Sequence, residues 1–292
     1  MTIARKRLSA AVLSALQLAS PVAFGTTLTD VPIAVKNTVV PNVMFTLDDS
    51  GSMQFEVIPE SDDVFFTFPR PATLYGAGWG YGGSFDTTAR FELSNRYARY
   101  FRSARFNSLY YDPTRRYQPW SKEDGTLFPD SPPTAACHNP YRCPSMWPSG
   151  TAPSASNEGT LNLTTNQTWN VAWRDDDGSE NTASRTYYPA TYFNYIGAAP
   201  HPTSPTDAAN TAAKFGLVEI KPGNAPFPKA AGRTDCVASA SSCSYNEEIQ
   251  NFANWYTYYR SRILTARAGT GRAGAHNDSL READCRRRPQ RR

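Results

Sequence analysis

The 292-residue sequence predicts an α/β fold. An open sheet begins near the N-terminus, is interrupted by a long β-rich and loop-rich stretch, and resumes at a covering helix. Three observations point there. A short apolar run, Val43 to Leu47, ends in Asp48-Asp49-Ser50-Gly51-Ser52, as a buried strand ends in a ligand loop. The middle of the chain carries runs of β-formers between Pro-, Ser- and Thr-rich segments. A capping signal at Ser244 then opens an apolar three- and four-residue periodicity that lasts to about residue 273.

Residues 1–25 stand apart. Arg5, Lys6 and Arg7 precede an apolar stretch to Phe24, and small residues lead up to Gly25. That order reads as a secretory signal peptide, with an exported mature chain. No later stretch reaches the ~20 apolar residues that a transmembrane helix needs.

Residues 26–60 supply the first strand and its loop. Five residues, Val43 to Leu47, bounded by Pro41 and Gly51, have the length and composition of a strand buried on both faces. Asp48, Ser50 and Ser52 alternate, so an extended backbone turns all three the same way. One carboxylate and two hydroxyls form a hard oxygen set suited to Mg²⁺ or Ca²⁺ rather than zinc. An Asp-Ser-Gly turn can also bond only its own backbone; the preceding strand and Ser52 favour the metal. Asp49 is expected to support the loop from behind the ligands. The motif Asp-x-Ser-x-Ser after a buried strand resembles the metal-ion-dependent adhesion site of von Willebrand factor A-type domains. The fold expected is therefore an incomplete von Willebrand A-like, Rossmann-type α/β unit.

Residues 61–243 form the interrupting stretch. Glycines and aromatics interleave from Leu74 to Ser84, which argues for an irregular loop rather than a phosphate cradle. A short helix is expected over 94–105, with Tyr97, Phe101 and Ala104 on one face and arginines at 96, 99, 102 and 105 on a solvated one. The bulky run from Asn107 to Trp120 is β-prone and turns at Asp112-Pro113. Thr168–Arg174 and Arg185–Tyr195 read as a hairpin across the acidic turn 175–184. Trp173 breaks the spacing of an EF-hand, which favours a solvated turn over a calcium loop. Phe215–Lys221 adds a strand before Pro222, whereas 129–160 and 196–213 read as loops.

Cys137 and Cys143 enclose five residues, and Cys236 and Cys243 enclose six. Two close pairs in an exported chain predict two local disulfides, since structural zinc prefers Cys-x₂₋₄-Cys. Cys285 is left over. The net charge of +4 is local: three positive charges sit in the leader and a surplus of three in the tail from Gly274. Residues 26–273 thus balance at −2, and nothing recommends a nucleic-acid partner.

Ser244-Tyr245-Asn246-Glu247 is a capping box. Ile249, Phe252, Ala253, Tyr256, Tyr259, Ile263 and Ala266 come next on one face of a helix over 244–273, ended by Gly269 and Gly271. Its aromatics fit a packed face better than a membrane surface, because an α/β sheet needs a covering helix. From 274 to 292 periodicity stops and six arginines appear. This basic tail is expected to be disordered. Its abruptness suggests a frameshift or early stop, so that the product is a fragment; a genuine basic tail is the alternative.

Four stretches together resemble the PilC/PilY family of type IV pilus biogenesis and tip-adhesin proteins. They are the leader, Asn42–Met53, the Asn-x-Leu-Tyr-Tyr-Asp-Pro segment at 107–113, and Asn251-Phe-Ala-Asn-Trp-Tyr-Thr-Tyr-Tyr-Arg-Ser-Arg262. The resemblance covers residues 1 to about 273. It implies a non-enzymatic protein of the periplasm, outer surface or pilus that supports pilus assembly and adhesion. A divalent cation would be held by Asp48, Ser50 and Ser52. Partners would be pilins, or a host or surface ligand offering a carboxylate. The family pattern also implies Thr and Asp ligands from later loops, which are not identifiable in this sequence, and further A-like elements with a β-propeller, for which no room remains.

Catalysis finds little support. An aspartate pair for phosphoryl transfer needs an acid where Ser50 stands, and a nucleophile elbow needs glycine where Asp48 stands. His138, His201 and His276 are scattered, and none is an evident base. A secreted metal-dependent hydrolase using the same acidic loop is the competing expectation.

Overall fold

The helix that opens at Ser244 is the centre of the fold. The computed structural model describes residues 46, 48, 50–59, 64–68, 91–122, 124–147, 159–175, 177 and 179–285. The chain divides into two units, Met1–Thr46 and Leu47–Arg292, and every element below lies in the second. The expected signal peptide, most of the expected first strand, and the glycine-aromatic stretch lie outside the described residues. Thr46, within that expected strand, is exposed and irregular.

Three helices are described: α1 (Arg96–Phe101), α2 (Tyr245–Tyr258) and α3 (Arg262–Cys285). Eight strands, β1 (Ala136–Cys137), β2 (Thr160–Leu161), β3 (Gln167–Arg174), β4 (Glu180–Tyr187), β5 (Thr191–Tyr195), β6 (Phe215–Glu219), β7 (Phe227–Pro228) and β8 (Ser242–Cys243), lie between them. They pair as four two-stranded antiparallel sheets, β1–β2, β3–β4, β5–β6 and β7–β8. The class is mixed α/β, as expected, with every described sheet small and antiparallel. None of these ribbons is stable alone, so each depends on what it packs against.

That support is α2. Ser244 accepts a hydrogen bond from the Glu247 backbone while the Glu247 carboxylate accepts from the Ser244 backbone, closing the expected capping box. Burial is wider than one face: Glu248, Ile249, Asn251–Tyr258 are all buried. Tyr110 meets Trp255 with ring centroids 4.8 Å apart, Tyr111 meets Phe252 at 4.9 Å, and Phe68 meets Tyr256 edge-on at 5.0 Å. The polar edges of this aromatic core find partners, as buried Trp and Tyr require. Trp255 Nε1 donates to the Leu109 carbonyl, Tyr110 Oη to the Thr191 carbonyl, and Tyr111 Oη to Glu248.

The packing explains several departures from the sequence reading. Residues 107–120 form no strand, because side chains satisfy their backbone. Asn251 accepts from the Tyr117 N–H at 2.7 Å and donates to the Arg115 carbonyl at 2.8 Å, and Tyr117 Oη accepts from the Asp112 N–H. The arginine stripe is solvated only in part: Arg105 is exposed and Arg96 half-buried, whereas Arg99 and Arg102 are 5% and 2% exposed. Arg99 bonds Asn210 and the Leu93 and Ser94 carbonyls. Arg102 donates to the Thr67 carbonyl and lies 4.0 Å above the Phe91 ring.

The hairpin exists, but as Gln167–Arg174 against Glu180–Tyr187. Its acidic turn is tight, with Asp175 bonded through backbone to Ser179 and Asp177 accepting the Ser179 N–H. The expected second run breaks at Tyr188–Ala190, and its remainder becomes β5, paired with β6. The C-terminal helix also breaks, at Tyr259-Arg260-Ser261. Gly269 and Gly271 do not end it; α3 runs on to Cys285, so the backbone of 274–285 is helical where disorder was expected. Both expected disulfides, Cys137–Cys143 and Cys236–Cys243, are present.

Candidate metal-binding loop and its bracing

Asp48 and Ser50 are exposed and Ser52 is half-buried. Asp48 Oδ1 accepts the Ser50 N–H at 2.8 Å, and the Ser50 and Ser52 hydroxyls lie 3.1 Å apart. The three oxygen-bearing side chains therefore meet. They do so by a route other than the extended backbone expected, since Gly51–Gln54 is a single 3-10 turn. The Ser50 carbonyl accepts from Met53 and the Ser52 carbonyl from Phe55. The Ser50 N–H, and then its hydroxyl, hold the Asp48 carboxyl below its ordinary range against slight desolvation. An exposed, ionised carboxylate with two adjacent hydroxyls can offer hard oxygen ligands to Mg²⁺ or Ca²⁺. Asp48 Oδ2 is not engaged by the turn bond. Asp49 lies outside the described residues. Among the described residues, no three His, Cys, Asp or Glu side chains gather as a metal cluster.

The segment after the loop, residues 55–58, is held from three sides. Glu56 is 4% exposed. Its Oε1 accepts from Arg260 Nε at 2.8 Å, and its Oε2 accepts from the Thr67 N–H, the Thr67 hydroxyl and the Phe68 N–H. Arg260 comes from the break between α2 and α3. Arg262, at the start of α3, donates its backbone N–H to the Phe55 carbonyl and its Nε to the Val57 carbonyl. Asn107 completes the brace: its Nδ2 donates to the Glu56 and Phe101 carbonyls and its Oδ1 accepts the Ile58 N–H.

Sequence reading did not single out Glu56, and it gave Asn107 and Arg260 only as members of stretches that carry the family resemblance, with no role of their own. Two signals were available. Glu56 is a lone acid between Phe55 and Val57, and Arg260 comes four residues after Tyr256 on the apolar face, where a cation needs a buried partner. Of the three histidines, His138 is buried with Nδ1 2.6 Å from Tyr256 Oη, and His201 is exposed beside Tyr195 Oη. His276 lies in α3, where only the backbone is described.

No protein-family model and no solved structure matches the chain. Curated relatives do. The chain is 25% identical over 248 residues to the type IV pilus biogenesis factor PilY1 of Pseudomonas aeruginosa strain UCBPP-PA14. It is 25% identical over 256 residues to the protein of that name from strain PAK. Each match covers 83% of this chain, and the chain spans about 15% of the length of those relatives. Among the described residues, no helix is long and apolar enough to cross a membrane. The stretches at 107–113 and 251–262, read separately in the sequence, contact each other and residues 56 and 57, just past the Asn42–Met53 stretch. A match over most of the chain thus agrees with those stretches, and the similarity is to the PilC/PilY family of pilus biogenesis proteins.

Proposed function

We propose that this chain is a non-enzymatic, exported module serving type IV pilus assembly and adhesion. Asp48, Ser50 and Ser52 are its divalent-cation ligands, and the surrounding α/β structure is an incomplete von Willebrand A-like unit. The observation that carries the reading is the bracing of the loop. Residues 55–58 are fixed to Asn107, Arg260 and Arg262, so an exposed oxygen cluster stands on a rigid base. Preorganised ligands on a supported base suit ion capture, and the half-empty shell leaves room for water and one partner carboxylate. That partner is a pilin or a surface ligand. The names of the relatives support the pilus setting.

The test is genetic. Deleting the gene is expected to reduce surface piliation and attachment, and the wild-type chain to restore both. Asp48→Ala, exported at equal level, is expected to leave attachment unrestored. Normal piliation and attachment in the deletion strain contradict the proposal.

A further inference from the structure

The Cys137–Cys143 bridge closes a small ring, its ends six positions apart in sequence, and His138 lies inside it. The imidazole is 7% exposed. Contacts that fasten this ring to the body include His138 Nδ1 to Tyr256 Oη at 2.6 Å, the Thr257 hydroxyl to the Cys137 carbonyl at 3.2 Å, the His138 N–H to the Gly159 carbonyl at 3.3 Å, the pairing of Cys137 with Thr160, and Arg267 over the Tyr141 ring. The ring belongs to a small cluster with Met146 and Trp147, which Tyr258 Oη reaches at Met146 Sδ and Phe128 at the Trp147 ring. Cys236 and Cys243, in contrast, are part of the main core around α2. Small satellite clusters open at lower free energy than the core they flank.

We propose that the Cys137–Cys143 loop is an acid-released latch, which detaches from α2 when His138 takes a proton while the main core stays closed. Several groups surround His138, and the charge of Arg260 favours the neutral imidazole. From α2 comes the Tyr256 hydroxyl. From the helix break comes Arg260, whose guanidinium lies 4.3 Å from the Tyr256 ring centroid and donates to the Tyr256 carbonyl. The carboxylate in this network, Glu56, is engaged by Arg260. Gly159 contributes a carbonyl, and the other cation of the disulfide ring is Arg142. Burial first and the Arg260 charge second hold His138 at about 3 rather than 6.5. In the released loop the ring regains its ordinary affinity. The open form therefore binds more protons, and the latch is full above about pH 6.5 and weakens as pH falls toward 3. The released population rises by up to about tenfold for each pH unit in that window.

Reduction of the full oxidised chain by a phosphine reads this directly, with alkylation and mass spectrometry scoring each bridge between about pH 7.5 and 4. The slow Cys236–Cys243 bridge corrects for the reductant's own pH dependence. Relative reduction of Cys137–Cys143 is expected to rise at least tenfold from about pH 6.5 to 4.5. His138→Gln is expected to flatten the rise. A flat ratio in the wild type, both bridges opening together, or an unchanged rise in His138→Gln overturns the proposal. Should His138→Gln expose both bridges at neutral pH, Tyr256→Phe decides. It leaves the titrating ring without its hydrogen bond and is expected to move release to higher pH; an unmoved profile is equally fatal.

Discussion

Glu56 shows how much of the local architecture rests on single side chains. A carboxylate 4% exposed remains an anion only where donors surround it, and Arg260, Thr67 and Phe68 supply four. Removing it strands Arg260, also 4% exposed, without its counter-charge. Glu56→Ala is expected to lower unfolding free energy by about 3–5 kcal/mol in urea titrations. The paired change Glu56→Gln with Arg260→Met is expected to recover most of that loss, because matched removal leaves neither member of the pair as a lone buried charge. The partners stand 204 positions apart, which is why the pair was not legible in the sequence. Asp48, Ser50 and Ser52 were legible because their chemistry is local: three oxygens in five residues, whatever backbone brings them together. The same locality explains the disulfides. Arg99 and Arg102 were misread for the opposite reason, since helical spacing assigns a face but not what covers it.

At the scale of elements, local signals held where the deciding contacts were local. The capping box of α2 is an example. Glu247 accepts from the Ser244 N–H and hydroxyl and from the Val237 and Ala238 N–H groups. Against the desolvation of a half-buried carboxylate, the largest single influence, these bonds together bring its carboxyl down to about 2. The folded value is depressed, so the stabilisation is complete above about pH 4.5 and disappears as pH falls through about 2. Ser244→Ala is expected to cost about 1 kcal/mol at neutral pH. The stability gap between wild type and Glu247→Gln is expected to close on acidification from pH 5 toward 2 in thermal melts. A gap that widens contradicts the capping geometry. Element ends were harder to read. At the break over Tyr259–Ser261, Glu56 binds Arg260 and the Phe55 carbonyl accepts from Arg262, and no periodicity records such contacts. The β-prone run at 107–120 stayed irregular because Asn251 and Trp255 of α2 capture its backbone.

Across the described residues, the segment 55–58, just past the Asn42–Met53 stretch, and the two stretches at 107–113 and 251–262 form one contiguous support. Asn107 joins the loop segment to the Tyr-Tyr-Asp-Pro run, Tyr111 and Trp255 join that run to α2, and Arg260 and Arg262 return to the loop. The support makes no use of the proposed cation, so the oxygen cluster should bind one without refolding its base. Calorimetric titration with Mg²⁺ and then Ca²⁺, on the wild-type chain and on Asp48→Ala and Ser50→Ala, tests this most directly. Three protein oxygens leave at least half of an octahedral shell to water, so weak binding is expected, with dissociation constants on the order of 10⁻⁴ to 10⁻³ M. Asp48→Ala should abolish it, Ser50→Ala should weaken it, and neither should change the circular dichroism of the fold. Tight binding that survives both substitutions would place the cation elsewhere and contradict the role given to this loop.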